Sequence, residues 1–377
     1  MSLLSNNQSL AQFCQRALSQ PLLAVDTEFI RQSTLVPKLG LIQLFDGVQL
    51  ALVDPLAITD WQPLKELLLA PHITKILHSC TEDLEAFASI GILEISPLFD
   101  TQLAAEILDW GGSIGYGRLV EQLTGTLLDK SEARTDWLAR PLAERQLAYA
   151  ANDVKFLLPV YSKLLAEFTQ PNKLDLLLAE GQQLLQRKQQ QLPDAFKYLE
   201  VKNSTQLTSR ELAVLRELVS WRFQYASQRD LALGLVAKDA QLLELAKRRP
   251  ASAESLLNIP GMASRDMRRH AKLLVELINT AKNIPAEQCP QRFYHLDHFA
   301  GEKVVLAELG QAVKLAAAAA QIPASFLSTR RQLHEFFNWC WRVADADRAE
   351  LPIPEYLCGW RKAILMPYLP IPEHIIL

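Results

Sequence analysis

The chain has 377 residues and a formal net charge of −3, with 49% hydrophobic and 21% charged residues, the balance of an ordinary globular protein. No apolar run approaches the roughly 20 residues of a membrane helix, and the first 20 residues lack the basic and then apolar stretches of a secretion signal. Five cysteines without a CxxC pair fit reduced thiols in the cytosol better than a disulfide framework or a zinc site.

In chain order, "LAQFCQRALSQ" has helical spacing. "LLAVDTEFI" (22–30) follows as a buried strand, although it carries Asp26 and Glu28 in its middle. "KLGLIQLFDGVQLALVDP" predicts a hairpin turning at Asp46-Gly47. "HITKILHSC" is a short apolar strand. "TEDLEAFASIG", "DTQLAAEILDW" and "PLAERQLAYAANDVKFL" have helical spacing. Residues 1–170 therefore read as α/β, a mixed sheet flanked by helices.

Strand patterns stop beyond about Lys173. Gln-rich "LLLAEGQQLLQRKQQQL" reads as a polar helical connector within 171–205. Helical blocks follow at 206–285 and 286–377, separated by the Pro-containing "NIPAEQCPQRF". Charge is unevenly spread: residues 1–170 sum to −8 and residues 206–283 to +5. An acidic front half beside a basic middle fits a metal-holding site next to a surface for a polyanion.

Side chains at i and i+2 of a strand share a face. Asp26 and Glu28 thus point one way, with Thr27 and Phe29 on the other. Two buried carboxylates repel and each is costly to desolvate; a divalent cation removes both costs. A capping Asp and a Glu paired with a buried Arg would also account for them. Asp83, in "LHSCTEDLEAF", falls in the first turn of a helix, where the dipole tolerates an anion. Tyr149 and Asp153 are i and i+4 on one helix, beside the apolar face of Ala150, Val154 and Leu157. Asp100 reads as an N-cap, Trp137 as structural, and "FFNWCW" (336–341) as core. His295 and His298 are spaced i, i+3 but have no evident third ligand. Arg265, Arg268, Arg269 and Lys272 form one helical face after the "NIPGM" joint. Such a stripe can track a nucleic-acid backbone, or can be a solvated face.

Asp26, Glu28, Asp83 and Asp153, with Tyr149 four residues before the last, resemble the DEDD exonucleases of the DEDDy type. "DTEF", "HSCTEDLEAF", "FDTQLAA", "GYGRLVEQLTG", "LDKSEARTDWLARPL" and "QLAYAANDVKFLLPVY" narrow the resemblance to ribonuclease D. "LVSWRFQYASQRDLALGLVAKD" and "LLNIPGMASRDMRRHAKLL" resemble the HRDC module of that family, and the last block resembles a second, more divergent one. The resemblance implies a ribonuclease H-like exonuclease domain (1–170), a helical linker (171–205), an HRDC domain (206–285) and a second HRDC-like domain (286–377). It implies two Mg²⁺ or Mn²⁺ ions, which prefer oxygen ligands. Asp26 would bridge both. Glu28 and Asp153 would hold the ion carrying the attacking water, and Asp83 the second ion, through water. Tyr149 would orient the water.

Phe29 would stack on the terminal base or belong to the core; Lys130, Arg134 and Arg140 would contact phosphates or lie in solvated ion pairs. The activity implied is 3′→5′ hydrolysis of RNA to 5′-mononucleotides, in trimming tRNA precursors and small structured RNAs. Two alternatives stay open: the same chemistry on DNA, and a non-catalytic nucleic-acid-binding protein. A helicase is disfavoured, despite the HRDC resemblance, by the lack of a GxxxxGK[ST] loop.

Overall fold

The computed structural model describes residues 1–129, 131–190, 192–291, 301–343 and 345–372. The first part of the chain runs β1 (Ser2–Leu4), α1 (Asn7–Ala17), β2 (Leu22–Ile30), β3 (Lys38–Phe45), β4 (Leu50–Val53), α2 (Gln62–Leu69), β5 (Thr74–Leu77), α3 (Thr81–Ala88), β6 (Leu98–Asp100) and α4 (Thr101–Ile107). It continues through α5 (Tyr116–Thr124), α6 (Glu144–Lys155), α7 (Leu157–Glu167) and α8 (Pro171–Gln189). The six strands form one mixed sheet in the order β1-β4-β3-β2-β5-β6. β2, β3 and β4 are antiparallel neighbours, while β2, β5 and β6 run parallel. The turn at Asp46-Gly47 closes the β3–β4 hairpin: Asp46 accepts the backbone N–H groups of Val48 and Gln49, and Gly47 takes a positive φ of 87°.

Alternation in β2 places its side chains in two cores. Leu23 and Val25 pack with α1, α2 and α3; Ala24 packs on the other face with residues of α4 to α7. β1, β6 and α2 carry too few residues or too weak a pattern to be read from the sequence; β1 and β6 form the two edges of the sheet.

The reading of 171–205 as a polar connector needs correction. α8 buries Leu177 in one nuclease core, and Leu184 and Leu185 in the other. Gly181 sits so close to β6 that a Cβ would stand 2.9 Å from the Leu98 carbonyl oxygen. The glutamines occupy the remaining faces, which is why composition hides the apolar stripe.

Two helical bodies follow. The first holds α9 (Ser209–Arg229), α10 (Leu233–Val236), α11 (Asp239–Arg248), α12 (Ala253–Leu257) and α13 (Arg265–Lys282) around its own core. Gly261, with φ of 84°, makes the turn before α13. The second holds α14 (Glu302–Ala320), α15 (Ala324–Leu327), α16 (Arg330–Trp341), α17 (Asp345–Arg348) and α18 (Gly359–Leu365). Phe336, Phe337 and Cys340 of α16 are buried, and Ile107 of α4 is shared with this core, so the last body is docked on the nuclease. Arg361 pairs with Glu180 of α8 while both are almost wholly buried. Removing either partner from such a pair costs about 3–5 kcal/mol. The first body touches the nuclease at the β2–β3 loop, where Asp230 accepts the backbone N–H groups of Leu35 and Val36, each at 3.1 Å. His295 and His298 lie outside the described residues.

Candidate active site

β2 pairs with β5 only through Leu22–Ala24. Beyond that point the two strands separate, and Asp26 and Glu28 face the gap at the carboxyl end of this parallel pair. Crevices at such ends are the usual ligand sites of α/β sheets. α6 crosses the same face and brings Asp153. Carboxylate oxygens of Asp26, Glu28 and Asp153 lie within 4.8 Å of one another. With Tyr149, they line a cleft of about 280 Å³.

Asp83 stands apart from this trio, buried in the first turn of α3. Its carboxylate accepts the Thr27 hydroxyl. Thr27 is thus more than a side chain on the opposite face: it ties β2 to α3. The turn before α3 is held by Asp100, which caps α4 and also accepts the backbone N–H groups of Ser79 and Cys80 at 3.0 and 2.8 Å.

Burial, then the charges of Asp83, Asp153 and Glu28, push the Asp26 carboxyl well above the usual range. Burial, then the charges of Asp153 and Asp83, push Glu28 up to about 9. Asp83 and Asp153 rise to about 7, again mainly through burial, despite hydrogen bonds from Thr27 and Tyr149 that pull them down. No cation is among these causes. A cluster of hard oxygen donors that repel one another, with no Lys or Arg to neutralise them, fits a divalent cation.

The sign of the resulting pH dependence follows. Unfolded carboxyls titrate near 4, so the folded site binds more protons than the unfolded chain at neutral pH. Its contribution to stability is complete below about pH 4 and is lost as pH rises through 7 and then 9. We expect the melting temperature of EDTA-treated protein to fall between pH 6 and 9, and Mn²⁺ to bind more tightly and release protons over that range. A Mn²⁺ affinity independent of pH would contradict this charge balance.

Tyr149 reaches the cleft from one turn before Asp153, to which its hydroxyl donates. Burial and the three carboxylates of the trio push the phenol further up from its usual value. It stays protonated and can only orient or donate. Its ring lies 6.1 Å from that of Trp137, which is fully buried.

Several cleft residues escaped the sequence reading. His78 and Tyr116 line the cleft with their rings 5.4 Å apart, and the Tyr116 hydroxyl donates to the Asn152 carbonyl at 3.1 Å. Leu128, Asp129 and Ala133 bring the loop before α6 to its rim. The His that precedes "SCTED" and the Tyr of "GYGRLV" were the only signals available.

Other sequence candidates fall elsewhere. Phe29 packs against the main core and does not line the cleft. Arg134 is exposed near the cleft loop, and Lys130 lies outside the described residues. Arg140 is not free for phosphate: it binds both carboxylate oxygens of Asp54 and donates to the carbonyls of Gly40, Trp137 and Ala139. Arg265, Arg268, Arg269 and Lys272 are all exposed on α13. A larger cavity, of about 530 Å³, lies between α8, α16 and residues 351–355. Its Glu355 is paired with Arg187 and Arg331, so it lacks the uncompensated charge of the smaller cleft. No described helix is long and apolar enough to cross a membrane.

Residues 1–169 match a 3′-5′ exonuclease family, residues 211–278 the HRDC domain, and residues 301–369 the C-terminal HRDC domain of ribonuclease D. Ribonuclease D of Escherichia coli is 38% identical over 363 residues, covering 96% of each chain. That of Musicola paradisiaca is 39% identical over 359 residues, covering 95% of each. The crystal structure of the Escherichia coli enzyme, titled an exoribonuclease involved in structured RNA processing, superposes with a TM-score of 0.89 at 37% identity, over 97% of this chain and 96% of that one. A carboxylate-lined cleft in a 3′-5′ exonuclease domain, two HRDC domains and near-full-length identity converge: this chain belongs to the ribonuclease D family of 3′→5′ exoribonucleases.

Proposed function

We propose that the cleft at the end of β2 hydrolyses the last phosphodiester of an RNA 3′ end, releasing nucleoside 5′-monophosphates, and that tRNA precursors and other small structured RNAs in the cytoplasm are its substrates. The observation that carries this placement is the Asp26–Glu28–Asp153 trio, partly buried, mutually repelling and without a cationic partner among the described residues.

When bound, Mg²⁺ or Mn²⁺ supplies the positive charge that activates water and stabilises the leaving 3′-oxygen. Asp26, which feels the charge of all three other acids, would hold both ions. Glu28 and Asp153 would help hold one ion, and Asp83 would serve the other. Tyr149 holds the attacking water by its hydroxyl, since a phenol pushed up by three carboxylates is no base at neutral pH. Arg134, exposed on the loop before α6, approaches the phosphates of the terminal nucleotides. The α13 stripe holds RNA upstream.

A 3′-extended tRNA incubated with Mg²⁺ or Mn²⁺ should shorten one nucleotide at a time from its 3′ end, giving 5′-mononucleotides, and should stay intact in EDTA. Endonucleolytic fragments, or equal turnover in EDTA, would refute the proposal. Tyr149→Phe should slow hydrolysis roughly 10–100-fold, the usual result of misplacing a reacting group, with Mn²⁺ affinity unchanged in a calorimetric titration. Loss of Mn²⁺ binding in this variant would make Tyr149 a ligand instead.

A further inference from the structure

Gln43 is the only polar residue between Leu39 and Phe45 of β3. It is completely buried. In the ladder it stands directly opposite Asp26 on one side and Leu52 on the other. Paired residues of an antiparallel ladder project from the same face, with Cβ atoms roughly 4.5–5.5 Å apart. The carboxamide therefore shares the face of the Asp26 carboxylate, beneath α6, among Leu41, Leu52, Ala150 and Trp137.

Neither Oε1 nor Nε2 of Gln43 has a hydrogen-bond partner among the described residues, and the buried indole Nε1 of Trp137 in the same cluster has none either. An amide buried without partners forfeits the hydrogen bonds it made in water. Leucine or methionine would serve the fold better at this position. The orphaned groups are also complementary. The indole offers a donor, the carboxamide an acceptor and a donor, and the carboxylate an acceptor.

We infer that Gln43 is a positioning residue for Asp26: in the cation-loaded site its N–H turns to the carboxylate and fixes the orientation that holds a divalent cation, while its Oε1 takes the indole N–H of Trp137. A neutral amide suits this task. It orients a carboxylate without neutralising it, whereas a lysine there would compete with the cation. The far end of the relay is anchored, because the Trp137 carbonyl accepts Arg140 Nη1 at 2.9 Å and Arg140 is clamped on Asp54. The relay links the bridging carboxylate to the loop that rims the cleft. This inference rests on the reading of Asp26 as a cation ligand.

Gln43→Met keeps length and volume and removes both hydrogen-bonding groups. With the full-length protein, Mn²⁺ affinity would be measured by calorimetric titration, and melting temperature in EDTA and in saturating Mn²⁺. Mn²⁺ affinity should fall about 10–100-fold, the usual effect of removing a group that orients a ligand. The melting temperature in EDTA should stay level or rise, because an unpaired buried amide has gone. Trp137→Phe, which removes the indole N–H and keeps a large ring, should weaken Mn²⁺ binding in the same direction by a few-fold, and keeps the test valid should Gln43→Met not fold. Wild-type Mn²⁺ affinity in both variants overturns the inference, as does a fall in EDTA melting temperature with Mn²⁺ affinity intact. Absence of Mn²⁺ binding in the wild-type protein overturns the ligand reading of Asp26 itself, and so is distinguishable.

Discussion

Asp26→Asn should lower RNA hydrolysis by at least about 10³-fold, the upper range for removing one electrostatic stabiliser, while leaving the fold intact. Asp26 is the carboxylate that feels all three other acids. The amide keeps the size of the side chain but removes the charge on which cation binding depends. The same change relieves repulsion in the metal-free site, so the variant should melt at a higher temperature in EDTA and gain less from Mn²⁺. Activity and stability thus move in opposite directions, which separates loss of the site from loss of the fold. Single-turnover assays on a short RNA and melting curves with and without Mn²⁺ check both. Near-normal turnover in the Asn variant would remove Asp26 from the site.

Changing Arg265, Arg268, Arg269 and Lys272 together to Ala should weaken binding of long structured RNA and reduce its salt dependence by up to about one unit of slope per lost phosphate contact. All four are exposed on one face of α13, whose other face holds buried Met267, Ala271 and Leu274. Truncation at the exposed positions should therefore leave the module folded. Cleavage of a very short oligonucleotide should be almost unchanged, because that substrate occupies only the cleft. The comparison is internal to one variant: two substrate lengths at two salt concentrations. Equal losses on both substrates would mean that α13 supports the fold or the cleft. No loss on either would make the stripe a solvated face.

Much of the chemistry was legible in the residues themselves. Two carboxylates two apart on an apolar strand must share a face, and Tyr149 and Asp153 four apart on a helix must do the same. Those relations depend only on the periods of strand and helix. The hairpin at Asp46-Gly47 and the capping role of Asp100 are equally local, because turn and cap chemistry is decided within three or four residues. The motif set carried the family for the same reason: its members are short and their spacing within each element is fixed.

What depended on contacts distant in sequence was not legible. Composition presented α8 as a polar connector, yet Leu177, Leu184 and Leu185 make it part of the nuclease, since a narrow apolar stripe shows only once there is a surface to bury it. Arg140 was open to a phosphate contact or an ion pair, and Asp54, far upstream, decided for the pair. Thr27, placed on the opposite face by alternation alone, holds Asp83 only because α3 packs there. Gln43 became the neighbour of Asp26 only through strand register, which no local pattern encodes. The sequence by itself determined which acids could act and which element each rides on. Tertiary structure alone decided which of them meet, what supports them, and that they repel one another without a cation among the described residues to offset it.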